Sequence, residues 1–474
     1  MKKTDVLLLI STLVFSLLFY QQSPGVNYLI FNLVLILAVM VRNPLIFSSP
    51  YAVYAALGAV ISALNIVWVN TTLSLVMNFL SLIVFAGMTL NPKSSFIVAF
   101  INSTFSFLAS ILIKIVEKID RSIYGSSQKS SGKTLSWLKF VTFFIPVLVA
   151  GIFLMLYAAA NPAIDTLLAN FSLDFISWNW VRFTLLGFLI LFGFFHQSHI
   201  ESLTSIDNRA SNILKRKKLR RKTFNMLALK YEIKSGWLLL LLLNLLLFGF
   251  HMVDGYYILG QKFEGTLQYS EYLHQGVNTL ITSIVLAILV ILYYFRANIN
   301  FHKHNKKVKN LAYLWVFQNT LLVCTTIYKN FQYVDEYGLT YKRIGVYIYL
   351  LLVFIGLVTT LIKIKSIKSN WYLIRTNSWM FYGVFIIASF FNWDKIITKY
   401  NLSKTDKIDT VYLINLTNKN LPELITMKNK GTVYLNDREK SLIIRKKQLF
   451  LEKMEKKQWP SWNYQDQIIH NEIR

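Results

Sequence analysis

The chain contains repeated apolar runs, each close to the length that a helix needs to cross a membrane. They lie at about 5–21, 26–41, 50–69, 72–90, 140–160, 181–196, 237–259, 277–295, 311–333, 345–362 and 378–393. A bilayer's hydrocarbon core requires about 20 mostly apolar residues in a helix, and 54% of the 474 residues are hydrophobic. The runs therefore predict an all-α fold, a polytopic transmembrane helical bundle of about eleven spans.

A further apolar run at 96–113 is interrupted by polar side chains between Asn102 and Ser110. If this run crossed the membrane, either Lys2 and Lys3 or the basic stretch 114–139 would fall on the outer side. A position along the inner interface keeps every basic connection on the same side. We therefore expect an interfacial helix here.

The net charge of +27 is concentrated in connections between the apolar runs. Positive charge in such connections orients helices in the membrane, so we expect no nucleic-acid partner. The connections expected on the cytoplasmic side are Arg42, Lys93, 114–139, 209–234, 296–309 and 363–375. This distribution predicts a cytoplasmic N-terminus, and an odd number of spans then places the C-terminus outside, in the periplasm or extracellular space.

One connection carries an unusually dense basic cluster. Its residues are Lys215, Arg216, Lys217, Lys218, Arg220, Arg221 and Lys222. Basic residues near a membrane surface attract anionic headgroups by about 1 kcal/mol each. The cluster predicts contact with anionic lipid on the cytoplasmic face, either as a topology anchor or as a regulatory lipid switch.

Composition also suggests how the chain is divided. Residues 1–93 hold the N-terminal membrane helices, 94–139 the interfacial helix and a basic loop, and 140–393 the core membrane domain. Residues 394–474 are polar and rich in lysine, and they predict a small helical extramembrane tail. The single cysteine, Cys324, excludes an internal disulfide and a cysteine-rich metal site.

The first candidate site is a polar heptapeptide between two apolar runs, Ser270-Glu271-Tyr272-Leu273-His274-Gln275-Gly276. Ionisable groups at membrane depth are costly and usually face a bundle interior, where they pair with one another. Glu271 and His274 share one helix face, as do His251 and Asp254 at the end of the preceding run. The four side chains have three interpretations: a structural helix entrance, a proton relay, or a metal site.

A second candidate is the segment Tyr337-Gly338-Leu339-Thr340, followed by Arg343. Gly338 permits a turn at the outer surface, and Thr340 is placed to cap a helix that begins at Tyr341. Arg343 then lies in the first turn of that helix. It is positioned to bind a lipid headgroup, a substrate carboxylate or Glu271, and we expect an internal ion pair.

Common catalytic signatures are missing from the sequence. It contains no nucleophile elbow, phosphate-binding loop, dinucleotide fingerprint or zinc-protease motif. We predict no cofactor and no resident metal, with His251, Asp254, Glu271 and His274 as the only candidate ligands. The sequence favours a role other than catalysis.

Five motifs occur in a characteristic order along the chain: Ala160-Asn161-Pro162, the heptapeptide 270–276, the turn 337–340 with Arg343, Lys399-Tyr400-Asn401-Leu402, and Ser461-Trp462-Asn463. Together they resemble the bacterial polytopic membrane proteins known as domain of unknown function 4173, which is related to the family numbered 4153. The resemblance implies a multi-pass bacterial inner-membrane protein and offers no catalytic residues. Val277 and Asn278 depart from the commonest form, in which aromatic residues follow the glycine.

These features favour an uncharacterised integral membrane protein that acts as a scaffold, sensor or regulator, with an outward-facing polar pocket around Glu271, His274 and Arg343. A proton-coupled transporter or channel is the first alternative, with Asn244, Gln318, Asn319, Thr325 and Thr326 as part of its path. A membrane-embedded metalloenzyme is the second. The bilayer is the predicted partner, and the sequence specifies no protein partner.

Overall fold

The computed structural model describes residues 2–123, 177–216, 222–260, 280, 282–296, 298–302, 305–404, 408–431 and 433–474. These residues form α-helices and short 3₁₀ turns, without strands. The membrane part contains α1 Lys3–Phe19, α2 Val26–Arg42, α3 Pro50–Trp68, α4 Thr72–Leu90, α5 Phe96–Ile123, α6 Trp178–Phe195, α7 Glu201–Arg209, α8 Lys222–Gly260, α9 Thr282–Tyr294, α10 Lys306–Tyr337, α11 Tyr341–Lys365 and α12 Asn370–Ala388. The tail contains α13 Trp393–Lys404, α14 Thr410–Asn415, α15 Leu421–Lys430, α16 Asp437–Glu455 and α17 Tyr464–Ile473.

Many of these helices are long and apolar enough to cross a membrane. In the described residues seven qualify, namely α3, α4, α5, α6, α8, α10 and α11, and an eighth is added if α12 and α13 form one bent span. Helices α2 and α9 are shorter and also apolar. The predicted fold class, an all-α polytopic bundle, is confirmed.

Contacts between helix ends define two opposite faces of the bundle. At one face, α1 begins beside the end of α6, where His196 Nε2 lies 3.0 Å from Asp5 Oδ1. At the other face, α1 ends beside the start of α6, where the Tyr20 and Ser177 hydroxyls are 2.7 Å apart. We call the first the basic face, because Arg42, Lys93 and the 209–216 and 363–375 segments lie there.

Two hydrophobic cores divide the membrane part. The first bundle packs α1–α6 and α12 around side chains such as Leu35, Phe85 and Phe195. The second bundle packs α8–α11 around Leu240, Ile284 and other apolar residues. Helices α11 and α12 run side by side and join the bundles, aided by a 2.9 Å hydrogen bond from the Thr359 hydroxyl to Asn377 Oδ1.

Helix α5 differs from the predicted interfacial helix. It runs antiparallel to α6 and the segment after it: Asn102 bonds Thr204, whereas the Ser106 hydroxyl donates to the Gly193 carbonyl at 2.8 Å. Its polar stripe is buried, and Leu108 on the opposite side is 78% exposed. An interfacial helix turns its polar side to water, so this pattern favours a helix inside the bundle with its apolar side toward lipid.

The tail packs on the face opposite the basic face, which we call the tail face. Its two apolar cores include Leu413 and Ile443 in one and Phe450 and Ile469 in the other. Asn436 and Glu439 form a capping box at the start of α16, and Asn463 caps α17. The tail is therefore a folded helical cap, held against the membrane helices.

Candidate functional site

The second bundle contains a buried ion pair between α8 and α10. Asp254 Oδ1 accepts a hydrogen bond from Lys329 Nζ, and the two side chains are only 3% and 8% exposed. The second carboxylate oxygen of Asp254 has no hydrogen-bond partner among the described residues. Each charge is compensated by the other, as buried charges in a membrane protein require.

His251 lies one turn before Asp254 on α8 but has a different partner. Its Nε2 donates to the backbone carbonyl of Gln318 at 3.0 Å. Because a carbonyl only accepts, this ring nitrogen carries the proton. In the part of the chain that the structure describes, no three His, Cys, Asp or Glu side chains are grouped to hold a metal ion.

Glu271, His274 and Gln275 lie outside the described residues, as do Val277 and Asn278. Their predicted convergence with His251 and Asp254 is not tested and stays a prediction. The same holds for Asn161 and Pro162 and, in the basic cluster, for residues 217–221. Lys215 and Arg216 are described and exposed, ahead of α8.

The turn between α10 and α11 lies at the tail face and has the predicted geometry. Gly338 ends α10 with a φ of 78°, in the left-handed region, and the Thr340 hydroxyl accepts from the Arg343 amide at the start of α11. The Arg343 guanidinium donates to the carbonyls of Tyr337 and Gly338 and stacks on the Tyr333 ring. Arg343 thus holds the end of α10 against the start of α11.

Asn401 of α13 binds this turn from the tail side. Its Oδ1 accepts from the Leu339 amide at 2.6 Å, and its Nδ2 donates to the Leu339 carbonyl at 3.0 Å. Asp394, at the start of α13, is also buried and accepts from the Tyr341 hydroxyl at 2.6 Å and from the Thr417 amide at 3.0 Å. Side chains of the tail therefore bond both backbone and side-chain groups at the α10–α11 turn of the second bundle.

The tail also binds the first bundle, at the connection between α1 and α2. The Ser23 amide donates to the Ser461 hydroxyl at 2.9 Å, and the Val26 amide donates to the Trp462 carbonyl at 3.0 Å. Gly25 lies so close that an added Cβ would stand 2.5 Å from the Ser461 and Trp462 carbonyl oxygens. Only glycine allows this backbone approach.

Aromatic stacking extends the contact with the first bundle. Tyr464 of α17 stacks on Trp68 at the end of α3, with 4.6 Å between ring centroids, and Trp68 stacks on Phe390. Trp459, earlier in the same segment of the tail, is 68% exposed. Trp and Tyr favour the level of lipid headgroups, and these rings lie where the tail meets the ends of the membrane helices α3 and α12.

A second polar centre lies at the basic face, around Asp207 of α7. Its carboxylate accepts from the Ser95 amide at 2.6 Å, from Trp371 Nε1 at 2.9 Å and from Arg375 Nη2 at 2.9 Å. Burial raises the pKa of this carboxyl, but these donors outweigh burial and hold it below its ordinary value. The centre fastens α7 to α5 and α12.

The sequence patterns did not identify four residues that form these polar contacts, namely Lys329, Asp207, Arg375 and Asp394. Lys329 is the most informative, because it lies inside the apolar run 311–333. A lone lysine in such a run is itself a signal of a buried partner. For the other three residues, only the fold shows which donors and acceptors meet.

The described residues define a polytopic helical membrane protein with two bundles and a folded cap on one face. Residues 7–427 match the family model described as "Domain of unknown function (DUF4153)", and the chain belongs to that family. The motif resemblance to the family numbered 4173 is corrected accordingly, since 4173 is a related but different family. Neither the curated proteins nor the solved structures contain a match.

Proposed function

We propose that this protein is a membrane scaffold of the sensor or regulator type, in which the tail couples the two bundles at the tail face. The observation that carries the proposal is the double attachment of the tail. Asn401 binds the α10–α11 turn of the second bundle, while Ser461 binds the α1–α2 connection of the first. A displacement of either attachment site is thereby passed through a folded unit to the other.

The sequence motifs support this role. Three of the five motifs that resemble the related family numbered 4173, at 337–340, 399–402 and 461–463, lie at the contacts between the tail and the bundles. The family match itself ends at residue 427, within α15, so it includes the attachment to the second bundle. Motifs at an interface fit a protein whose function depends on that interface.

The test uses Gly25→Ala, which places a methyl group in the contact with Ser461 and Trp462. Carbon–oxygen contacts are normally about 3.3 Å or longer, so the tail backbone must withdraw by roughly 1 Å. We expect faster hydrogen–deuterium exchange at 459–464 and also at the distant Leu339 amide, which Asn401 protects. Gly383→Ala, where nothing lies within 4 Å of the new Cβ, is the matched control.

The result that contradicts the proposal is local. If exchange rises only near residues 23–26 and 459–464 while the Leu339 amide keeps its wild-type protection, the tail does not couple the bundles. An equal rise in Gly383→Ala would show that the effect comes from general loosening of the first bundle.

The ion pair of Asp254 and Lys329 favours a second candidate, a proton-coupled transporter or channel formed by the second bundle. A carboxylate and an ammonium held together at membrane depth are a recurrent part of proton pathways. Other polar side chains in these helices, Asn244 and Thr326 among them, bond backbone carbonyls. Proton flux in liposomes is the test, and this candidate fails if Asp254→Asn leaves every flux unchanged.

A further inference from the structure

A cavity of about 530 Å³ lies between the α1–α2 connection and the C-terminal end of α16. Gln21, Gln22 and Ser461 line one side, and Lys453, Lys456 and Lys457 line the other. Hydrogen bonds from Gln22 Nε2 to Gln458 Oε1 and from the Ser461 hydroxyl to Gln22 Oε1 hold the two sides together. The cavity is therefore part of the attachment between the tail and the first bundle.

Positive charge exceeds negative charge around this cavity, because three lysines line it against one carboxylate, that of Glu452. Asp466 is shared by two ammonium groups, Lys419 at 2.5 Å and Lys457 at 2.8 Å. Burial lowers the pKa of Lys419, and the neighbouring charges of Lys457 and Lys453 lower it further against the pull of Asp466. Within the described residues, neither Lys453 nor Lys456 has a carboxylate within 4.0 Å.

The position of the cavity relates it to the membrane surface. Its floor is the connection between two membrane helices, and the exposed ring of Trp459 stands next to the lining residues Gln458 and Ser461. Tryptophan at such a site marks the level of phospholipid headgroups. Phosphate is the anionic group of phospholipids at this level, and free phosphate compounds offer the same chemistry.

We propose that this cavity binds a phosphate-bearing anion, with Lys453 and Lys456 as its charged contacts and the amides of Gln21 and Gln458 as further donors. Phosphate oxygens accept several hydrogen bonds at once and compensate the excess positive charge. The ligand contacts both the tail and the first bundle. In the coupling role proposed above, on which this consequence rests, the anion is the signal that strengthens the attachment.

The test measures binding to the purified full-length protein in a neutral detergent, with tryptophan fluorescence as the readout. The probes are phosphatidylglycerol and phosphatidylcholine in mixed micelles, and inorganic phosphate and glycerol phosphate at matched ionic strength. Lys453→Gln with Lys456→Gln should weaken binding about thirtyfold, since each basic residue near an anion contributes roughly a factor of five. Arg438→Gln with Arg445→Gln removes equal charge from exposed positions of the same helix.

The outcomes separate the sources of the anion. Tighter binding of phosphatidylglycerol than phosphatidylcholine, lost only in the lysine pair, supports a lipid headgroup; the same pattern with the soluble probes supports a free phosphate compound. No binding, or equal weakening in the lysine and arginine pairs, overturns the proposal. The exchange experiment on Gly25→Ala tests coupling separately, so either conclusion can fail alone.

Discussion

Replacing either member of the Asp254–Lys329 pair alone should destabilise the second bundle strongly. The side chains are 3% and 8% exposed, so neither charge is hydrated when its partner is removed. At an effective dielectric constant of about 20, unit charges about 3 Å apart attract by roughly 5 kcal/mol, and desolvation offsets part of this. Asp254→Leu or Lys329→Met should therefore each lower the free energy of unfolding by about 3–5 kcal/mol.

The double variant should recover most of that loss, because two apolar side chains of similar volume suit a buried site in a membrane helix. Equilibrium unfolding in mixed micelles, followed by circular dichroism, gives the four free energies of the cycle. The exposed pair Lys404 and Asp335, 4.0 Å apart with side chains 58% and 57% exposed, is the control and should contribute at most about 1 kcal/mol. Single variants as mild as this control, or additive losses in the double variant, would refute the reasoning.

Two further outcomes follow from the tail contacts and the buried carboxylates. Gly338→Ala should lower the free energy of unfolding by about 1 kcal/mol more than Gly431→Ala. Both glycines have positive φ, but only at 338 does an added Cβ meet Asn401 Oδ1, at 2.8 Å. Equal shifts of the melting temperature in the two variants would contradict this. The pKa of Asp466 is lowered because Lys419 and Lys457 outweigh burial, and the pKa of Asp207 is lowered by its hydrogen-bond donors. The contribution of these two carboxylates to folding stability is therefore complete above the unfolded pKa near 3.8, and it is lost as the pH falls toward the folded values. Acid titration should show this loss, and Asp466→Asn should reduce it; an unchanged acid profile would argue against the pair.

Local sequence features predicted much of the fold. The apolar runs identified the membrane helices, and Gly338 with Thr340 identified the α10–α11 turn, because helix length, turn geometry and capping depend on neighbouring residues. The sequence also predicted a one-sided distribution of basic connections. In the described part Arg42, Lys93, 209–216 and 363–375 lie at the basic face, whereas Lys114 lies in the half of α5 that runs toward the tail face. The assignment of the basic face to the cytoplasm remains a prediction.

The sequence did not predict which polar side chains that are distant in the chain form ion pairs or hydrogen bonds. Lys329 is 75 positions from Asp254, and their meeting depends on which sides of α8 and α10 face each other. Asp207 lies in a connection that reads as basic, yet it is fully buried among donors from α5 and α12. Ion pairs of this kind follow from packing, which a single sequence does not specify.

The buried polar stripe of α5 argues against the interfacial helix predicted at 96–113, yet the flanking helices α4 and α6 keep the predicted directions. The chain leaves α4 at the basic face and enters α6 at the tail face. Helix α5 runs from the basic face toward the tail face, whereas the prediction made this crossing with the run at 140–160, which lies outside the described residues. Under either assignment the tail lies opposite the start of α1. An interfacial α5 would keep residues 114–139 with the other basic connections. The polar stripe of α5 is instead buried against α6 and the segment that follows it, a packing contribution that charge distribution alone does not contain.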